Sequence, residues 1–172
     1  MNGATRLRNC WVVANGKGTI LMNIADDASE PLLRISGFAL WVHNRQFPNA
    51  DDFWDGNWLN VTAKVEANNA RVRTGGSILH LSEVEAFASE LVVLIKEISG
   101  TATLGGSLEP NLSVSLRGSK LGHVTATVAI TPDHMSQSHK FTFEMDQTFL
   151  GPILASCQEI LRRFPIRDKP AG

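Results

Sequence analysis

The stretch Trp58 to Ala67, "WLNVTAKVEA", restricts the fold more than any other part of the chain. Leu59, Val61, Ala63, Val65 and Ala67 alternate with Trp58, Asn60, Thr62, Lys64 and Glu66. A period of two puts one set on an apolar face and the other on a wet face, as in a half-buried antiparallel strand. Asn68-Asn69 then suits a two-residue turn, which pairs Ala67 with Ala70, Val65 with Val72, Ala63 with Thr74 and Leu59 with Ile78. Continued further, that register sets His80 opposite Asn57, unless Gly75-Gly76 bulges.

Other segments repeat the pattern. "LSVSLRG", "HVTATVAIT" and "KFTFEMD" alternate apolar and polar residues and predict three more strands. "CWVVANGKGTILMNI" predicts a first hairpin around Asn15-Gly16 and Gly18. Between Pro31 and Asn44 the apolar set moves from odd positions (Leu33, Ile35) to even ones (Phe38, Leu40, Val42), a phase change at Ser36-Gly37 that suggests a β-bulge. Two segments have helical spacing instead. "SEVEAFASELVVLIKEISG" opens with a capping box of Ser82 and Glu85 and places Val84, Phe87, Ala88, Leu91, Leu94, Ile95 and Ile98 on one stripe. A closing helix from about Thr148 to Phe164 carries Leu150, Ile153, Leu154, Cys157, Ile160 and Leu161, with Pro152 tolerated in its first turn.

Short turns between consecutive strands exclude a doubly wound parallel sheet. The expected fold is α+β: antiparallel sheet of about six to eight strands with two amphipathic helices. An offset of 63 residues superposes "VTAKV" at Val61 on "VTATV" at Val124. It also matches Phe87, Leu91, Leu94 and Ile98 to Leu150, Leu154, Cys157 and Leu161. The halves 18–100 and 101–165 are thus either a duplicated strand-strand-helix unit or two units sharing a common periodicity.

At 172 residues and 43% hydrophobic content, the whole chain, 1–172, is expected to be one domain. Its formal net charge of −1, with no Lys/Arg block, disfavours nucleic acid and anionic membranes as partners. The start lacks the apolar core of a signal peptide, and no run reaches the ~20 apolar residues of a membrane span, so a cytoplasmic location is expected. Cys10 and Cys157 form no CxxC pair. Cys157 reads as a small hydrophobe on the last helix.

Complete catalytic motifs are absent, and no enzymatic activity is expected. The five histidines make no HxH or HExxH, "ANGKGT" lacks Walker spacing, and no GxSxG occurs, so neither metal nor cofactor is expected. The candidate site is "FPNADDFWDGNWLNV", Phe47 to Val61. Asp51, Asp52, Phe53, Trp54, Asp55 and Asn57, with His80 brought near by the hairpin, could form an acidic, aromatic protein-binding loop. Alternatively, Asp51, Asp55, Asn57 and His80 could line the pocket of a small-molecule-binding protein or enzyme. The plain structural account packs Phe53, Trp54 and Trp58 under the sheet and gives Asp51, Asp55 and Asn57 turn hydrogen bonds. A homodimer through a sheet edge or an uncovered sheet face is a further option.

"FPNADDFWDGNWLNV", "KLGHVTATV" at Lys120 to Val128 and "MDQTFLGPIL" at Met145 to Leu154 together resemble the WapI-type family of bacterial immunity proteins. The resemblance runs from about Phe47 to Phe164 and implies a non-enzymatic partner that binds and neutralises a polymorphic, Rhs- or WapA-like, nuclease-type toxin. It carries no family binding residues over to positions here. The near-neutral charge departs from the acidic character that suits inhibitors of basic nucleases.

Overall fold

A computed structural model describes residues 29–119 and 121–167. The hairpin expected around Asn15-Gly16 lies outside them, as does Cys10. Two antiparallel four-stranded sheets and two helices make up the described part. The first sheet is β1 (Leu33–Ile35), β2 (Phe38–Arg45), β3 (Trp58–Ala67) and β4 (Ala70–His80), in that spatial order, followed by α1 (Leu81–Glu97). The second is β5 (Gly100–Gly105), β6 (Leu112–Gly118), β7 (His123–Ile130) and β8 (Lys140–Asp146), followed by α2 (Leu150–Arg163). The fold is α+β, with strand neighbours in sequence also neighbours in space.

One hydrophobic cluster joins these elements. It takes Leu59, Val61, Ala63 and Val65 from β3, Val124, Ala126, Val128 and Ile130 from β7, and the stripes of both helices. α1 lies against β5 and α2, α2 reaches β1, and both β3 and β4 meet β7. Because alternation commits every second side chain to this cluster, β6 and β7 read as buried, half-buried, buried along most of their length.

Four local expectations are corrected. Ser36-Gly37 is the turn of a hairpin, not a bulge within one strand: Ile35 pairs with Phe38, so the phase changes because the chain reverses. Ser36 takes φ 50°, and a side chain at Gly37 would collide with the Glu66 carbonyl and the Phe143 ring. In the β3–β4 hairpin the expected pairs hold from Ala67↔Ala70 to Ala63↔Thr74, but Leu59 faces Leu79, not Ile78. The extra residue is Ile78, beyond the glycines; the shift buries both Ile78 and Leu79 and puts His80 opposite Trp58, not Asn57.

The cap of α1 is the third correction. Its N-cap is His80 with Glu83, two residues ahead of the expected Ser82 and Glu85: the Ser82 N–H donates to His80 Nδ1 (3.3 Å) and the His80 N–H to Glu83 Oε2 (3.2 Å). Val84, Phe87, Ala88, Leu91 and Leu94 are buried as the stripe requires, whereas Ile95 is exposed and Ile98 forms a left-handed C-cap. Fourth, β5 follows α1 at once, a strand the sequence pattern did not announce. The closing helix matches its expectation after a 3-10 turn, Gln147–Phe149, whose entry is capped by Asp146 accepting from the Thr148 N–H (2.9 Å). Cys157 is fully buried on α2, which pushes its thiol up to about 12.

Two of the motifs behind the family resemblance meet here. The Gln147 N–H donates to the Gly122 carbonyl (3.0 Å), joining the turn before β7 to the entry of α2. Gly122 takes φ +80°, and a Cβ there would stand 3.0 Å from Gln147 Oε1. Both motifs therefore serve the joint of a turn and a helix start.

Candidate functional site

The loop between β2 and β3 is built from its carbonyls inward. β2 has a register shift between Val42 and Asn44, so that Arg45 pairs with Leu59 and shares the core face. Without the extra residue Arg45 would fall opposite Trp58 and point the other way. Turned inward, Arg45 is buried and donates to the carbonyls of Gly56 and Pro165 and to Asn57 Oδ1 (3.3 Å). Burial first, and then the nearby Arg167 charge, lowers its guanidinium from the usual value.

Asn57 is fully buried beside it. Its Nδ2 donates to the Phe53 carbonyl (2.7 Å) and the Arg167 carbonyl (2.9 Å), while its Oδ1 accepts from the Arg167 N–H (2.9 Å). The side-chain amide thus pairs with the backbone of residue 167 as a strand neighbour would. Arg167 in turn donates from its guanidinium to the carbonyls of Pro48 (2.9 Å) and Ala50.

His80 completes the clamp from β4. Its Nε2 lies 3.2 Å from the Phe53 carbonyl and 3.3 Å from that of Trp54, and its Nδ1 lies 2.7 Å from Ser82 Oγ. Two carbonyls accept only, so Nε2 carries the hydrogen. The rings of Phe53 (5.4 Å), Trp54 (5.9 Å) and Trp58 (5.2 Å) surround the imidazole, which is fully buried. Asn57 and His80 therefore meet at one atom, the Phe53 carbonyl oxygen, and both are turned away from solvent.

The aspartates divide by role. Asp52 is the turn-former, its Oδ1 accepting from the amides of Trp54 (2.8 Å) and Asp55 (2.9 Å). Asp51 and Asp55, which the structural account had as turn-formers, are exposed on the outside of the loop. Phe53 is half-buried and Trp58 likewise, but Trp54 does not pack under the sheet. It is 60% exposed. Carbonyls inward and Asp51, Asp52, Trp54 and Asp55 outward, the loop is held in one conformation by residues from three distant parts of the chain. Asp51 and Asp55 do not converge with Asn57 and His80, whose polar atoms are committed to backbone.

Arg45 and Arg167 are the site residues that sequence reasoning missed. Arg45 gave no signal because it follows the polar pair His43-Asn44 at the end of β2 and without the bulge points outward, and Arg167 lies beyond the last helix in no periodic segment. Among the described residues no cluster of three or more His, Cys, Asp or Glu is placed to hold a metal ion, and no helix is long and apolar enough to cross a membrane.

The immunity protein WapI-like family model matches residues 32–165, well over half of the sequence. The chain belongs to that family. The match spans both sheets, both helices and the whole of the clamped loop, and stops short of Arg167, one of the residues that clamp it. No curated protein and no solved structure matches the chain.

Proposed function

We propose that this WapI-like immunity protein is a non-enzymatic, cytoplasmic bacterial protein that binds and neutralises a polymorphic, nuclease-type toxin. The observation that carries this is the family match across residues 32–165. The site supports it in a second way. Groups that a catalytic site would leave free, Asn57 and His80, are tied to backbone, whereas Trp54 and the aspartates are displayed on a loop fixed in advance. Pre-organisation of this kind lowers the ordering cost of association. An exposed tryptophan among carboxylates supplies a large contact area and charge that steers a basic partner.

The deciding experiment is co-expression with the toxin module encoded beside this gene. Restored growth, together with a complex that survives purification, is the expected result; unrelieved killing and no complex would overturn the proposal.

A further inference from the structure

The displayed tryptophan helps to line a cleft of about 290 Å³, together with Leu108 and with Glu83, Ala86 and Glu90 of α1. Leu108 is 41% exposed, and among the described residues no lysine or arginine lines the cleft. The volume lies below the range of ordinary small-molecule pockets, roughly 300–1,000 Å³, and suits a single long side chain.

The two carboxylates differ in what they have left to offer. Glu83 is buried, with Oε2 accepting from the His80 N–H and Oε1 from the amides of Ser107 (3.2 Å) and Leu108 (3.4 Å), at the start of α1 where a negative charge is favoured. Glu90, two turns further on, is exposed. Only its Oε2 is engaged, by the Thr103 N–H (2.7 Å), and Oε1 has no partner among the described residues. The tryptophan ring, which lines the cleft, also packs against Phe53 (5.2 Å) and His80 (5.9 Å).

We propose that this cleft receives an arginine side chain of the protein partner, its guanidinium bonded to Glu90 and stacked on Trp54, its methylenes against Ala86 and Leu108. A planar guanidinium satisfies both a carboxylate and an aromatic face, which a lysine ammonium does less well. Asp51, Asp52 and Asp55, exposed on the loop beyond Trp54, add the field that draws a basic segment to this side. The proposal rests on the family reading only for the partner being a toxin.

The test uses the full chain, ¹⁵N-labelled, titrated with the blocked tripeptide Ala-Arg-Ala and with its lysine and citrulline counterparts. The arginine peptide is expected to shift the Trp54 indole N–H and the amides of Ala86 and Leu108 saturably, the lysine peptide more weakly, and the uncharged citrulline peptide not at all. Glu90→Gln keeps an oxygen for the Thr103 N–H, so the fold is retained, and should weaken arginine binding about tenfold, the equivalent of about 1.4 kcal/mol. Leu108→Ser, a second variant at an exposed position, should weaken it less. Absence of a saturable shift, equal shifts from citrulline, or an unchanged E90Q titration would each overturn the site. The toxin assay separates the two proposals: protection without peptide binding removes the cleft and leaves immunity standing, whereas peptide binding without protection does the reverse.

Discussion

β3 and β7 are both third strands of four-stranded meanders, and both carry a Val-Thr-Ala-x-Val core face: Val61, Ala63 and Val65 in one, Val124, Ala126 and Val128 in the other, all buried. Around these matching strands the two halves diverge. β7 and its neighbours keep an unbroken register, while β3 is flanked by a register shift on each side, at His43 in β2 and at Ile78 in β4. Each shift re-aims one residue at the same loop, Arg45 from one side and His80 from the other. The plain half is a sheet with one wet and one dry face; the first half is the same plan bent at one end to hold the clamped loop.

Breaking the plain half should cost most. Leu116 is fully buried in β6, and Leu116→Ala is expected to lower stability by about 3 kcal/mol through lost burial and a cavity, read by urea unfolding. Asn57→Ala should cost about 2 kcal/mol, because it strands buried backbone partners, and it should raise hydrogen exchange at the Arg167 amide and around Phe53 while leaving β6–β7 protected. If N57A instead loosened the second sheet, the loop could not be treated as an addition to a common plan.

Smaller effects distinguish the two faces of α2. The Cys157 thiol is held up to about 12 by burial. Its unfolded-state counterpart ionises near pH 9, so the buried neutral thiol contributes stability below that value and loses it as pH rises from about 9 towards 12, by about 1.4 kcal/mol per pH unit relative to Cys157→Ala. Thermal melts of the two proteins across that range would show the divergence. On the outer side of α2, hydrogen bonds from Arg162 and then Arg163 hold the Glu159 carboxyl down to about 2. Titration by NMR should find it there at low salt and moved up towards the ordinary carboxylate range at 1 M salt, with little change in stability, since the group is at the surface.

The plain half was the more legible in sequence. β6, β7 and β8 follow from alternation alone, as does β3, because each has one core face and one wet face. β5 escaped because "GTATLG" is short, bounded by glycines and joined directly to α1. In the first half the sequence marked the loop but not its construction. Alternation continued past Ser77 gives the wrong partner for Leu59, since a bulge leaves no mark in a run such as "SILH", where two adjacent apolar residues read equally well as inside and outside. The same ambiguity hid Arg45. Trp54 was legible as a tryptophan among aspartates, but whether it lay under the sheet or outside depended on where Asp52 placed the turn.

The clasp between Asn57 and the backbone of residue 167 also sets a schedule. The two partners are 110 positions apart, and Arg45 waits still longer for the Pro165 carbonyl. At roughly 5–20 residues per second of synthesis, the loop emerges some 5 to 20 seconds before the segment that completes it. Through that interval the loop lacks the hydrogen bonds that Pro165 and Arg167 supply. The clamped loop is among the first parts of the described chain to be made and among the last to be finished.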